Sequence, residues 1–274
     1  MNHVVPMKDS LIDICFNFTD DFFRSNEESF IKKAKEVGVS HFIVIGNDLK
    51  SSQLALQLAN KYKDSCYTSA GYHPHNAKLW NNESYKQLKE IAKESKCKAV
   101  GECGLDFYRD FSPRDKQIEA FHQHISLAAE TNLPIFIHER GSFQDMIAIL
   151  KERRQELIRG VVHCFTGQKA ELEAYLDLDM YIGLTGWICD EKRGRHLREF
   201  INIIPNDRLM VETDAPYLSP FITSTDPSIT EDQRHNNKPE YLPTVVEQIA
   251  KGRDQSYNEV SSYTTTNAKN FFGI

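Results

Sequence analysis

Eight short apolar or β-branched runs recur along the chain, separated by stretches with helical periodicity, and this alternation constrains the fold more than any other feature. The runs are LIDICF (11–16), HFIVIG (41–46), CYTSAG (66–71), KAVGE (98–102), LPIFIH (133–138), GVVHC (160–164), MYIGLT (180–185) and RLMVET (208–213). Between them lie ESFIKKAKEVG, SSQLALQLANKYK, ESYKQLKEIAKES, QIEAFHQHISLAAETN, FQDMIAILKERRQE, KAELEAYLDL and GRHLREFINIIP, several closed by Gly, Asn or a nearby Pro as helix stops should be. Strict β-then-α alternation calls for parallel strands joined by helical crossovers. Eight such units match a closed (β/α)8 TIM barrel, and 274 residues fit one such domain spanning 1–274. A doubly wound open sheet usually has fewer strands and a G-x-G-x-x-G turn after the first. Here the first run continues into NFTDDFF instead.

A formal charge of −6 argues against a protein that coats nucleic acid non-specifically through a basic face. It does not exclude an enzyme that meets phosphates at a metal site, because a bound divalent cation reverses the local field. No apolar run reaches the length of a membrane span, and the N-terminal MNHVVPMKDSLID lacks the basic-then-apolar pattern of a secretory signal. A cytoplasmic monomer is the expectation. Cys15, Cys66, Cys97, Cys103, Cys164 and Cys189 show no C-x-x-C spacing and read as reduced, packed thiols.

In a barrel of parallel strands all C-terminal strand ends open onto one face, where active sites of this fold are built. At those ends stand Asp13 and Asn17, Asn47, His73 and His75, Glu102, His138 with Arg140, His163, Thr185 and Asp214. A single strand-end His is more often a hydrogen-bonding loop residue than a ligand, and a single Asp is commonly a helix N-cap. Glu102, His138, His163 and Asp214, placed at the ends of strands four, five, six and eight, nevertheless bring two imidazoles and two carboxylates to one rim. Mixed N/O ligation suits Zn²⁺, Mn²⁺ or Fe²⁺, whereas Mg²⁺ leans on the oxygens and keeps more water. Asp214 is either a ligand or a general base just outside the ligand set, and sequence does not separate the two.

In AGYHPHN (70–76) an extended segment points His73 and His75 the same way, toward the rim. The competing reading is a proline-fixed turn with one exposed His. Arg140 offers a guanidinium fork suited to phosphate, although a salt bridge is an equally ordinary fate. The segment 213–243 carries five prolines, little periodicity and a basic cluster of Arg234, His235 and Lys238. Loops of that length on an active face are often functional. Trp187, Tyr108 and Tyr217 are either packing residues or stacking surfaces for bases.

The motifs GYHPHN, VGECGLDFYRDFSP, LPIFIHER, VVHCFTG, YIGLTGWICDEKRG, VETDAPYL, RHNNKPEYLP and NAKNFFGI span nearly the whole chain. In this order they resemble the TatD family of metal-dependent deoxyribonucleases. The resemblance implies an amidohydrolase-related TIM barrel that cleaves phosphodiesters with a divalent metal, Mg²⁺ with Mn²⁺ and Zn²⁺ as alternatives. It implies 3′-to-5′ exonuclease action on single-stranded DNA, extending to RNA, and a role in DNA repair or degradation. Carried over by position, Glu102, His138 and His163 are metal ligands, Asp214 is ligand or catalytic base, and His73 and His75 lie near substrate. Arg140, Tyr108, Trp187 and Arg234 are the further candidate substrate contacts. Many relatives open with D-x-H-x-H, whose histidines help hold a second ion; here that frame reads Asp13, Ile14, Cys15, Phe16, Asn17. One tightly held ion, joined by a second only with substrate phosphate, is therefore the expectation. The alternative activity is metal-dependent hydrolysis of esters, lactones or D-aminoacyl-tRNA.

Overall fold

The computed structural model describes residues 10–274, so the N-terminal stretch read above for a signal lies, over 1–9, outside the described residues. Eight parallel strands pair in chain order: β1 (Leu11–Phe16), β2 (Val39–Val44), β3 (Cys66–Ala70), β4 (Cys97–Asp106), β5 (Ile135–Arg140), β6 (Gly160–Val162), β7 (Tyr181–Leu184) and β8 (Leu209–Val211). The segment after β8 returns to β1. Asp214 N–H donates to the Cys15 carbonyl at 2.9 Å, and Asn17 N–H donates to the Ala215 carbonyl at 3.0 Å. The amide and hydroxyl of Thr213 both donate to the buried Asp13 carboxylate, at 2.9 and 2.5 Å. The expected (β/α)8 barrel is thus formed, with the first and last units stitched at the catalytic end.

The expected helical stretches form α1 (Glu27–Glu36), α2 (Leu49–Lys61), α3 (Asn82–Ala92), α4 (Arg114–Thr131), α5 (Phe143–Arg153), α6 (Lys169–Asp177) and α7 (Arg195–Phe200). Local chemistry fixes several ends. Asp48 accepts the Ser51 N–H at 2.7 Å to start α2, and Asn132 closes α4 in the left-handed conformation. The segment 213–243 contains a short α8 (Glu231–His235), and α9 (Leu242–Arg253) and α10 (Tyr257–Phe272) complete the chain. Alternate strand residues face two cores. Phe42 and Val44 join the strand–helix layer, whereas Ile43 and Ile45 join a cluster with Ile12, Ile14, Ala99, Phe136, Val161 and Met210. Ala268, Phe271 and Phe272 of α10 continue that second cluster, opposite the strand ends. All six cysteines are free, as expected. No helix among the described residues is long and apolar enough to cross a membrane.

Two expected strand ends are corrected. β4 does not stop at Glu102 but runs to Asp106, and His138 lies inside β5, paired with Gly104. The reason is a bulge: three steps from Val100 to Cys103 face two from Ile135 to Ile137. Gly101 and Gly104 sit at φ +134° and +137°, and a Cβ on either would strike the backbone carbonyl of Phe136 or His138. The bulge lets strands that would otherwise end at the rim carry their carboxylate and imidazole over it.

Candidate metal centre and cleft

Glu102 is the hub of the site. Its Oε1 lies 2.7 Å from His163 Nε2, 2.9 Å from His138 Nδ1 and 3.4 Å from His73 Nε2. His138 Nδ1 is in turn 3.3 Å from His73 Nε2 and 3.4 Å from His163 Nε2. A carboxylate oxygen and three imidazole nitrogens therefore converge from β4, β5, the end of β6 and the loop after β3. Only 4% of Glu102 is exposed. Burial alone would push its carboxyl up, but His163 and His73 beside it and the hydrogen bonds from His138 and His163 hold it well below the usual range. Burial acts against charge on His163 too, yet Glu102 and Glu212 raise it well above an ordinary imidazole. His73 goes the other way: burial lowers it well below the usual value, with Glu102 countering only in part.

This donor set fits a divalent ion. Ligand atoms of His73, Glu102 and His138 lie within 4.8 Å of one another, with His163 Nε2 2.7 Å from the same Glu102 oxygen, and such a set matches the N/O preference of Zn²⁺ or Mn²⁺. A buried carboxylate amid imidazoles also supplies the negative charge that any such ion needs. His73, expected only near substrate, thus stands among the donors. It does so although His73 and His75 are not in extended chain: Pro74–Leu79 is a turn of 3₁₀ helix, with His73 accepting the His75 N–H at 3.1 Å. Asp214 belongs neither to the His73–Glu102–His138 group nor to a second close group of potential ligands, Cys15, His163 and Glu212. Its Oδ1 accepts from Asn17 Nδ2 at 2.8 Å and from the Cys15 thiol at 3.4 Å, and both bonds fall on that one oxygen. Burial raises its pKa to about 6, with His163 pulling it back.

Two residues missed in the sequence hold the donors from behind. Asp106, at the end of β4, accepts His75 Nε2 at 2.7 Å on Oδ2 and lies 3.4 Å from His138 Nε2. Its Oδ1 accepts the backbone N–H groups of Tyr108 and Arg109, fixing the turn out of the strand. Burial opposes its charge, but hydrogen bonds from His138 and His75 hold it well below the usual carboxylate range. Glu212, fully buried, accepts the Cys164 N–H through Oε1 and places Oε2 3.5 Å from His163 Nδ1. Reading β4 through the bulge would have found Asp106, since four residues along a strand return to the same face as Glu102. No spacing pointed to Glu212.

These donors floor a cleft of about 910 Å³ whose walls include His75, Lys78, Arg109, Phe111, Arg140 and Trp187. Arg140 has no carboxylate partner among the described residues; its guanidinium lies 4.4 Å over the ring of the exposed Tyr108. Arg234 is corrected. It does not line the cleft, and its guanidinium donates to the carbonyls of Ser224, Asp226 and Ile229, holding its own loop together. The neighbouring groups are partnered as well, His235 with Glu231 at 2.7 Å and Lys238 with Asp232 at 2.6 Å. That cluster folds segment 213–243 and offers no free charge to a phosphate.

The family model described as TatD related DNase matches residues 12–273. The chain belongs to the TatD related DNase family. It is 41% identical over 264 residues to the 3′-5′ ssDNA/RNA exonucleases TatD of Erwinia tasmaniensis and Erwinia amylovora, covering 96% of this chain and all of each relative. Among solved structures, a TatD homologue from Escherichia coli superposes with a TM-score of 0.86 at 26% identity, over 96% of this chain and 98% of the homologue. A TatD family hydrolase from Entamoeba histolytica gives 0.85 at 26% identity, over 97% and 99% of the two chains. The TatD family is metal-dependent, in keeping with the donor cluster built around Glu102.

Proposed function

We propose that this protein is a divalent-metal-dependent nuclease that hydrolyses the terminal phosphodiester at the 3′ end of single-stranded DNA and RNA. The observation that carries the reading is the juxtaposition of the Glu102–His73–His138–His163 donors with unpaired Arg140 at the wall of one open cleft. The polarity and substrate follow the names of the 41%-identical relatives. Glu102, His138 and His163 hold the ion, with His73 as a fourth donor, and Mg²⁺ is the expected metal, with Mn²⁺ or Zn²⁺ able to replace it. Bound there, the metal supplies Lewis acidity toward a phosphoryl oxygen and a lowered pKa for water.

Asp214 acts as the base. Asn17 and Cys15 anchor its Oδ1, which turns the other oxygen to the task of taking a proton from the attacking water. His75, oriented by Asp106, and Arg140 face the charge that builds on the phosphate. With contacts to phosphate and to base faces, little sequence preference results. The test compares wild type with Glu102→Ala on single-stranded, duplex and RNA substrates, 5′-labelled, across Mg²⁺, Mn²⁺ and Zn²⁺. Stepwise shortening from the 3′ end that Glu102→Ala abolishes is the expected result. Turnover of esters, lactones or D-aminoacyl-tRNA with no nucleotide release would overturn it. A calorimetric metal titration giving two tight sites without substrate would overturn the single resting ion.

A further inference from the structure

Four aromatic side chains stand at the rim, and three are already engaged. Tyr108 carries the Arg140 guanidinium over its face at 4.4 Å, and Trp187 carries Arg193 at 4.3 Å. The Tyr217 hydroxyl donates to Asp20 at 3.1 Å, tying it to the loop after β1. Phe111 differs. It is 57% exposed, lines the cleft, and among the described residues no cation covers its ring. Its ring meets His75 at 4.7 Å between centroids and 62° between planes, so the imidazole does not lie parallel on the phenyl face.

An exposed Phe on a loose loop would need no explanation. This one is on a loop tied at every step. Lys78 Nζ donates to the Phe111 carbonyl at 3.2 Å, and the Ser112 hydroxyl donates to the His75 carbonyl at 2.8 Å while accepting the Lys78 N–H at 3.1 Å. Gln117, buried in α4, donates to the Ser112 carbonyl at 2.8 Å. The fold thus holds a rigid apolar ring out to water beside the cleft, with no core to fill. From Phe111 a chain of rings leads inward: His75 to His73 at 4.2 Å, then His73 to His138 at 4.4 Å among the metal donors.

Resting on the nuclease reading above, we propose that Phe111 is the stacking platform for the 3′-terminal nucleobase, the base borne by the nucleotide whose phosphate enters the donor cluster. A phenyl face accepts any base, which gives grip without sequence preference. A ring held in place before substrate arrives loses little entropy on binding. Lys78, bonded through Nζ to the Phe111 carbonyl, and Arg109 also line the cleft and supply positive charge for the flanking phosphates.

The test measures KM for three single-stranded oligonucleotides: intact, abasic at the 3′-terminal nucleotide, and abasic three nucleotides inward. Phe111→Ala raises KM on the intact and internally abasic strands by ~10-fold, within the range base–aromatic stacking supplies. On the terminally abasic strand wild type and Phe111→Ala have the same KM. Phe111→Trp restores the wild-type value on the intact strand, whereas Phe111→Leu does not. An equal rise on all three strands, a rise that vanishes only with the internal abasic site, or no rise at all overturns the platform. Failure of the wild type to shorten any of the strands would instead overturn the nuclease reading, so the two failures are told apart.

Discussion

Acidification below neutrality should destabilise this protein through a residue that touches neither metal nor substrate. His124 of α4 is fully buried against the Trp80 ring, and its two nitrogens have fixed roles. Nε2 must accept, because the Tyr72 N–H points at it from 3.0 Å, so Nδ1 carries the hydrogen and donates to the Ala120 carbonyl at 2.6 Å. A second proton would set one N–H against another in a fully buried site. Burial accordingly lowers its pKa from 6.5 to about 4. The folded pKa lies below the unfolded one, so between pH 6.5 and 4 the unfolded chain binds more protons and stability falls as pH falls. Linkage over that shift gives a loss of about 2.5 kcal/mol at about pH 4.5 relative to pH 7.5, a large part of a typical domain's margin. Urea unfolding of wild type and His124→Gln at both pH values isolates the residue, because every other titrating group is common to the two. The difference in their pH dependence should be about 2.5 kcal/mol in the variant's favour. Parallel stability curves for the two proteins would refute the assignment of a buried neutral imidazole.

Asp214→Asn should lower turnover at least ~100-fold while leaving metal affinity nearly intact, as isothermal titration with Mn²⁺ would report. Glu212→Gln removes the charge facing His163 Nδ1 and should weaken metal binding or activity by roughly 10- to 100-fold, although Glu212 touches no substrate. Asp106→Asn should weaken metal binding similarly, because it deprives His75 and His138 of their carboxylate; unaltered affinity would assign Asp106 to loop folding alone. Arg140→Ala should raise KM for oligonucleotides and reduce the slope of log KM against log salt by about 1, with kcat little changed.

Much of the fold was legible because its signals are local. Runs such as HFIVIG and helices such as α4 announce themselves by periodicity within one window, and eight repeats leave few topologies open. Two helices after the proline-rich segment escaped: α9, although its buried Leu242, Val245, Val246, Ile249 and Ala250 lie on one face at helical spacing, and α10, whose buried face is diluted by Ser261, Thr264, Thr265 and Asn267. The donors Glu102, His138 and His163 were visible as charged or titratable groups at the edge of apolar runs. Arg234 was misleading for the converse reason, since a cation's free or bonded state depends on carbonyls that only the folded loop supplies.

The amino-acid order alone determined the alternation, hence the barrel, hence the face on which polar strand-end groups gather. It could not determine how far each strand runs or which atoms meet. The bulge at Val100–Cys103 depends on β5 lying alongside, and it is this cross-strand register that aims Glu102 into three imidazoles and brings Asp106 back onto the same face. Glu212 belongs to the site only because Gly183 of β7, the strand between β6 and β8, carries no side chain and lets it reach His163, which turns one nitrogen to the metal side and the other to this buried carboxylate. Contacts such as Glu102–His163, 61 positions apart, carry no trace in any sequence window; they are set by closure of the barrel, which is a property of all eight strands at once.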